Sequence, residues 1–326
     1  MTVSNNNDRV PRITGRTKLR RIRHFLTNNN DRVPRITGLL VLEVRKSNPN
    51  GDPERESSPR QRPDRKGEIS PVSIKRKLRD LVLEKEGVVW AAAKGTLKIG
   101  DDTRFQILES RGRDRSAIIK QLAELPGGRL GQAFIDAYWD GRLFGNTFLE
   151  EGGSNTIRSG VAHFGVGVSV APIDIEFSTW TSKSGVESGK DRGMAPMGFR
   201  VVKHGVYAVP FFVNPNAAHK TGCTKLDVDL MLGLLKYAYS NTLSVVRSMV
   251  EVVHAHTLEH ANSAGSVSDF AFIDALAPSK RKDPGEPSND LSEYLLPSWD
   301  KIKDQPVRSG SSKTFADCGK YTDYAL

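Results

Sequence analysis

The sequence predicts an α+β fold, in which strands and helices share one chain without regular alternation. Two observations support this class. Strand-like runs of β-branched and apolar residues occur at 38–45, 160–176, 199–213 and 245–256. Segments with helical periodicity or caps separate them at 70–87, 129–138 and 224–238. The 326 residues include thirteen Phe, seven Tyr and four Trp, which is enough for a substantial core.

The first predicted strand is Gly38–Arg45 (GLLVLEVR), whose apolar residues are dense enough for a half-buried strand. Residues 46–69 follow it and are rich in Pro, Asp, Arg and Ser, with no periodicity. Loops of this length inside a domain are usually functional. We therefore expect an inserted functional loop at 46–69.

A helix should follow this loop. Ser70 is its predicted N-cap, Pro71 fits the first turn, and Gly87 fits just past the end. The apolar stripe comprises Ile74, Leu78, Leu81 and Val82. The stripe predicts that four cations lie mostly on the other side: Lys75, Arg76, Lys77 and Arg79. Such a face can bind phosphates without sequence preference, or it can simply be solvated surface.

The remaining elements are predicted in the following order. A helical region at 129–138 runs into WDGRLFGNTF, whose glycines indicate turns. A strand follows at 160–176, a polar, turn-rich insertion at 178–198, and a strand at 199–213. Thr224 and Asp227 form a capping box for a helix, and a strand follows at 245–256. From residue 277 onward the composition predicts irregular surface or a mobile tail.

The charge is unevenly distributed. The net charge is +10, and residues 1–66 carry sixteen Lys and Arg against seven Asp and Glu. The eleven residues NNNDRVPRITG occur twice, at 5–15 and at 28–38. Residues 1–35 are predicted to be a flexible basic extension, with a nucleic-acid-binding arm as the alternative. The charge favours a polyanionic partner, RNA or DNA, over a membrane.

Several function classes are disfavoured. No apolar run approaches a bilayer span, and the polar start lacks the apolar stretch of a secretory signal. Cys223 and Cys318 are far apart, which fits a reducing cytoplasm. The glycines of 160–167 precede β-branched residues instead of a helix, which argues against a nucleotide site.

The histidines of the last predicted strand resemble a metal cluster. They are His254, His256 and His260, and the first two share a strand face. No carboxylate occurs at a recognisable spacing, so satisfied or surface histidines are favoured and no metal or other cofactor is predicted.

Two further candidates stay open. Asp52 and Asp64 flank the arginines of the loop. An aspartate at this place could position a metal or polarise a 2′-hydroxyl of bound RNA. The favoured alternative is that Asp52 closes a turn. Met194 and Met197 lie in the 178–198 insertion, where apolar wedges could unstack bases or dock on the same molecule.

Taken in order, five segments resemble the backbone subunit of type I CRISPR Cascade complexes, the "Cas seven" family, in its type I-C and I-B branches. They are NPNGDP at 48–53, SPVSIKRKLRDLV at 70–82, WDGRLFGNTF at 139–148, GVGVSVAPI at 165–173 and MGFRVVKHGVYAVPFFVNP at 197–215. The resemblance covers about residues 38–275. It is the spacing of NPNGDP and IKRKLR together that makes the match specific.

This resemblance implies an RRM-like (ferredoxin-like) palm at 36–276 with finger insertions and a thumb β-hairpin at about 178–198. It implies a non-catalytic, cytoplasmic protein that coats the guide RNA (crRNA) copy beside copy and presents it to target DNA. Its further partners would be a guide-end cap subunit and a large subunit. The RNA contacts implied by the motif positions are Asn48, Asn50, Lys75, Arg76, Lys77, Arg79 and Arg142, with Met194 and Met197 as thumb wedges.

The sequence also departs from the family. Ser159–His163 (SGVAH) stands where many relatives carry Gly-Pro-Val-Gln, so the role of this segment is open. Arg158 stays a candidate RNA contact.

The alternative function is a guide-directed, metal-dependent ribonuclease of the type III backbone kind. In that case Asp52 or Asp64 would carry the chemistry.

Overall fold

The computed structural model describes residues 32–110, 132–145, 159–183 and 194–326 apart from residue 243, together with positions 116, 120 and 124. The chain divides into two units, Met1–Arg32 and Val33–Leu326. The predicted extension at 1–35 lies almost entirely outside the described residues.

A sheet of eight described strands organises the second unit. The strands are β1 (Ile36–Ser47), β4 (Lys66–Ile69), β5 (Ala162–Phe164), β6 (Gly167–Pro172), β7 (Ile175–Lys183), β8 (Met194–Val213), β9 (Val250–His260) and β12 (Gly319–Asp323). Their central order is β12–β9–β1–β8–β6–β4, and every pairing is antiparallel. Both β5 and β7 pair with β8. Two small hairpins lie outside it, formed by β2 (Gly51–Asp52) with β3 (Ser58–Pro59), and by β10 (Ser279–Lys280) with β11 (Tyr294–Leu295).

The described helices are α1 (Pro71–Leu83), α2 (Val88–Thr96), α3 (Gln132–Ala137), α4 (Trp139–Phe144), α5 (Ala218–Thr221), α6 (Lys225–Leu234), α7 (Asp269–Leu276) and α8 (Trp299–Ile302). The predicted caps are confirmed at two of them. The Ser70 side chain accepts a hydrogen bond from the Ser73 N–H, and Thr224 with Asp227 forms a capping box. None of these helices combines the length and the hydropathy needed to cross a membrane.

The sheet is covered on both faces, and β1 shows this most clearly. Leu40 and Leu42 belong to a core cluster with α1, α2, α4 and α6, whereas Leu39 and Val41 belong to a second cluster with α7 and the C-terminal segment. All four of these side chains are buried. The dense apolar run of β1 therefore reflects a strand that is buried on both sides.

Four predicted elements differ from the structure. Residues 46–69 contain β2, β3 and β4, and β4 joins the main sheet. WDGRLF forms helix α4 instead of turns. The strand predicted at 160–176 is divided into β5, β6 and the start of β7. The strand predicted at 245–256 begins only at Val250.

The ends of the predicted body also differ. Val33 is buried, and the Arg35 Nη2 lies 2.5 Å from Asp269 Oδ2, so the packed chain begins before residue 36. The C-terminal segment is mostly irregular, yet β12 pairs with β9, and Tyr294, Ile302 and Phe315 are buried in the second core cluster. Apolar residues that are scattered along this segment anchor it, because they pack together in that cluster.

The predicted insertion at 178–198 continues two paired strands. The β7–β8 register runs from Ile175 opposite Val202 to Lys183 opposite Met194. Residues 184–193 lie outside the described residues. The backbones of Met194 and Met197 belong to β8, and their side chains lie outside the described part of the structure.

Candidate nucleic-acid interface

The exposed basic residues of 46–69 form one candidate set, which we name the loop cations. They are Lys46, Arg55, Arg62 and Arg65, and all four residues are exposed. The Arg62 and Arg65 side chains retain 44% and 57% of their accessible surface. Their acidic neighbours, Asp64 and Asp174, lie 3.7 and 3.5 Å away and are themselves about half exposed. Exposed pairs of this kind are weak, so these guanidinium groups can exchange partners for phosphate.

Asn48 and Asn50 hold the loop to the body. The buried Asn48 donates a hydrogen bond from its amide to the Ser57 carbonyl at 2.7 Å. The Asn50 Oδ1 accepts one from the Ser70 N–H, also at 2.7 Å. Asn50 thus joins the start of the loop to the N-cap of α1. Both side chains, predicted as RNA contacts, bind the protein's own backbone and shape the loop.

Asp52 and Asp64 each accept a hydrogen bond from their own segment. Asp52 Oδ1 accepts from the Glu54 N–H at 3.2 Å, as the turn interpretation predicts, and lies 3.7 Å from Arg60 Nη2. Asp64 Oδ1 accepts from the Lys66 N–H at 3.1 Å. Both contacts are of the Asx-turn type, in which an aspartate accepts a hydrogen bond from the backbone N–H two residues further along the chain.

The cations of α1 differ from the prediction, because two of them are buried. Lys77 and Arg79 are only 6% and 4% exposed. The Arg79 Nε lies 2.9 Å from Asp140 Oδ2, and its Nη2 lies 3.0 Å from Glu109 Oε2. The Lys77 Nζ lies 4.3 Å from the centroid of the Tyr239 ring. The prediction of a solvent-facing basic stripe is wrong at these two positions, since other elements cover this side of the helix.

Arg76 is also engaged within the protein. Its guanidinium contacts Asp80 one turn further along α1, with Nη2 2.6 Å from Oδ1, and donates to the Glu109 carbonyl. Its side chain keeps 22% of its accessible surface. A phosphate would have to compete with an intact carboxylate pair at this position.

Lys75 differs from Arg76 and Arg79, because no carboxylate forms an ion pair with it among the described residues. It is half-buried, and its Nζ lies 5.4 Å from the centroid of the Phe144 ring. Burial and then the charge of Arg79 lower the pKa of Lys75, against the opposing effect of Glu109. Desolvation and then Lys75 lower the pKa of the nearby His163. A cation whose neighbours carry charge of the same sign is stabilised most by a bound anion.

Arg142 is an interior residue with only 1% of its surface exposed. Its Nη2 and Nε lie 2.7 and 3.1 Å from the two carboxylate oxygens of Asp227. Its other N–H groups donate to the carbonyls of Arg104, Ile135 and Asp136. All five donors are used, so the prediction that Arg142 faces an RNA groove is wrong. Arg158 lies outside the described residues.

Comparison with known proteins identifies the family. The family described as "CRISPR-associated protein Cas7" matches residues 34–297, which is most of the chain. The chain belongs to the Cas7 family. A curated relative of the same description, from Haloferax volcanii, is 26% identical over 231 aligned positions; the alignment covers 62% of this chain and 63% of the relative. This chain therefore spans less than two thirds of that relative's length.

Solved structures give more distant similarities to this Cas7 chain. A chain of a "CRISPR RNA-guided surveillance complex, pre-nicking" matches at 16% identity and a TM-score of 0.45, covering 76% of this chain and 83% of the other. A chain of a "Type III-B Cmr-beta bound to cognate target RNA" matches at 13% identity and a TM-score of 0.36, covering 75% and 66%.

The sequence prediction for the basic side chains of α1 in this Cas7 chain is wrong at Lys77 and Arg79, which the structure buries. The prediction covered four basic positions within five residues of α1, although one helical face cannot present all of them. It named none of the loop cations, although their segment lacks apolar periodicity and is flanked by Pro and Asp, a pattern typical of exposed chain. Among the described residues, the candidates for phosphate contact are Lys75 and the loop cations.

Proposed function

We propose that this chain is a guide-RNA-binding backbone subunit of a CRISPR complex. Membership in the Cas7 family is the observation that carries the proposal. Exposed cations with only weak carboxylate partners support it, because such groups bind a sugar-phosphate backbone without preference for base sequence. A guide RNA requires that tolerance, since its sequence varies from one complex to the next.

The palm of this subunit would be RRM-like. The order of its core elements supports this: β1, α1, β6, β8, α6 and β9 follow one another as β-α-β-β-α-β. In the sheet these four strands stand in the order fourth, first, third, second. Because α7 and the C-terminal segment cover one sheet face and the helices cover the other, RNA would contact the loops and the start of α1 instead of the sheet surface.

The RNA grip would centre on Lys75 and the loop cations. The loop leaves β1 and returns at the N-cap of α1, where Asn50 fixes its two ends together. Arg76 would contribute only if phosphate displaced Asp80. The β7–β8 hairpin would serve as the thumb, with Met194 and Met197 as wedges that unstack a base at regular intervals.

The subunit would be non-catalytic and of the type I kind, in its I-C or I-B branch. The motif set at 48–53 and 70–82 supports this branch. The use of Asp52 and Asp64 in backbone turns argues against the metal-dependent ribonuclease of type III complexes, because each already has a hydrogen-bond donor. Its partners would be further copies of itself, a guide-end cap subunit, a large subunit, and target DNA through the guide RNA, all in the cytoplasm.

Co-expression tests this proposal directly. The chain is produced with a cognate CRISPR array and the neighbouring subunits, purified, and analysed for bound RNA and for mass. We expect a multi-copy complex that carries a small RNA of uniform length. A monomeric chain free of nucleic acid under these conditions would refute the proposal.

A further inference from the structure

Two strands at the edge of the sheet bring together three side chains that bind metals in other proteins. His254 and His256 lie two residues apart on β9 and share one face. Asp323 lies on β12, directly opposite His256 in the antiparallel register. Asp323 is thus the carboxylate that the sequence pattern of the histidines lacked. Strand pairing supplies it from 67 positions further along the chain.

The distances between the possible ligand atoms are short. The Nδ1 atoms of His254 and His256 lie 2.7 and 3.6 Å from the same oxygen, Asp323 Oδ2. One ligand atom from each residue lies within 4.8 Å of the other two. Ligands of a tetrahedral zinc ion lie about 2.0–2.2 Å from the metal and so about 3.3 Å apart. Small side-chain adjustments would therefore place all three around one ion.

The carboxylate is oriented for this role by the backbone. Asp323 Oδ1 accepts hydrogen bonds from the N–H groups of Ala255 and Ala325, at 2.8 and 3.1 Å. Oδ2 is thereby directed at the histidines. Outer hydrogen bonds that fix a ligating carboxylate in this way are typical of protein metal sites.

Burial also suits a metal site. The side chains of His256 and Asp323 retain 2% and 5% of their surface, whereas His254 retains 22%, so an ion can enter beside His254. The His256 Nδ1 also lies 2.7 Å from the Tyr321 hydroxyl, which could occupy or release a coordination position.

His260, the third histidine of the strand, does not join this group. Its Nε2 lies 2.9 Å from the Thr37 hydroxyl, and its Nδ1 accepts a hydrogen bond from the Ser266 N–H at 2.9 Å. Both ring nitrogens are used within the protein. The candidate ligands are His254, His256 and Asp323.

We propose that His254, His256 and Asp323 bind one divalent transition-metal ion of the zinc class. Two imidazoles and one carboxylate form a ligand set that suits Zn²⁺, Co²⁺ or Ni²⁺ over Mg²⁺ or Ca²⁺. The ion replaces the proton shared between His254 and Asp323, and water or Tyr321 completes its coordination. It links β12 to β9 and so fastens the C-terminal segment to the sheet edge. This proposal is independent of RNA binding.

Metal retention tests the proposal on the full-length, tag-free chain. The protein is loaded with Zn²⁺, desalted, and analysed by elemental mass spectrometry. We expect about one zinc per chain in the unaltered protein and at least a tenfold lower content in His254→Ala and in Asp323→Asn. The exposed His219 provides the matched control, and His219→Ala should retain zinc fully.

Cobalt gives a second measurement that does not depend on the variants folding. Co²⁺ bound by the unaltered chain should show visible d–d absorption without the thiolate charge-transfer band that Cys223 or Cys318 would produce. Zinc should also raise the melting temperature of the unaltered chain and leave that of His254→Ala unchanged. Equal zinc retention by all variants, no retention by the unaltered chain, or a thiolate band would each overturn the proposal.

Discussion

Arg142 and Asp227 form a bidentate ion pair in the interior of the protein, with Nη2 2.7 Å from Oδ1 and Nε 3.1 Å from Oδ2. Asp227 also accepts hydrogen bonds from the backbone and hydroxyl of Thr224, where it closes the capping box of α6. The pair therefore joins α4 to the start of α6. A residue that resembled an RNA contact in sequence instead holds two helices together.

We expect Arg142→Lys to destabilise the protein by about 3–5 kcal/mol, because it breaks a buried pair and leaves Asp227 without a bidentate partner. Urea denaturation measures this change. RNA content per folded chain should stay the same. Arg62→Lys, at an exposed position, is the control and should change the free energy of unfolding by less than about 0.5 kcal/mol. Selective loss of RNA from a stable Arg142→Lys protein would contradict the structural role.

Among the cations of α1, Lys75 is the one whose substitution should change RNA binding most clearly. We expect Lys75→Glu to weaken guide-RNA retention and to reduce the slope of log K against log salt by about 0.7 for each phosphate that the variant no longer neutralises. Filter binding at several salt concentrations measures both quantities. Lys301→Glu, an exposed reversal on α8, is the matched control. An unchanged slope in Lys75→Glu would remove Lys75 from the interface.

The elements that the sequence predicted best are those whose ends are set by interactions between neighbouring residues. Ser70 and Pro71 before an apolar stripe predict the start of a helix, and the Thr224–Asp227 capping box spans only four residues. These elements appear as predicted. The apolar run after Gly38 likewise identified β1, because few other structures accommodate such a run.

The environment of charged side chains could not be predicted in the same way. Arg79 pairs with Asp140, 61 residues away, and His254 meets Asp323, 69 residues away. Separations of this size along the chain leave no local sequence pattern, because these groups meet only in the folded protein. Helical periodicity alone therefore assigned Arg79 to solvent, and strand periodicity alone left the histidines without a carboxylate.

The aspartates of the loop should be dispensable for any activity of the complex. We expect the assembled complex to leave complementary RNA intact in the presence of Mg²⁺ or Mn²⁺, with Asp52→Ala and Asp64→Ala behaving like the unaltered protein. Gel analysis of labelled RNA measures this. Asp52→Ala should cost about 0.5–2 kcal/mol, because the Glu54 N–H is then left without its cap. Regularly spaced cuts that disappear in either variant would establish the ribonuclease alternative.

Gly160 is required by close packing against the end of α4. A Cβ atom at this position would lie 2.2 Å from the Leu143 carbonyl oxygen and 2.4 Å from the Gly145 nitrogen. We expect Gly160→Ala to destabilise the protein by at least about 1–3 kcal/mol, because the obstacle is backbone. Gly95→Ala is the control, since a Cβ there would meet nothing within 4 Å beyond its chain neighbours and its own helix backbone, and alanine favours the helix. Equal stability of the two variants would contradict this account.

Lys85 should make stability depend on pH. Its Nζ lies 3.4 Å from the centroid of the Trp90 ring and donates to the Phe105 carbonyl at 2.8 Å. Burial lowers the pKa of Lys85 from 10.5 to about 8, against the opposing charge of Asp102. Between these two values the unfolded chain binds more protons than the folded chain, so the Lys85 contribution raises the free energy of unfolding as pH increases.

We therefore expect Lys85→Met to flatten the dependence of stability on pH between about 8 and 9.5, a window that ends below the ordinary pKa of tyrosine. Urea denaturation at pH 7.5, 8.5 and 9.5 gives the free energy of unfolding at each point. Lys301→Met, at an exposed position, should keep the slope of the unaltered protein. The same slope in Lys85→Met and in the unaltered chain would show that Lys85 titrates alike in the folded and unfolded states. The contact with Trp90 would then have no effect on the proton affinity of Lys85.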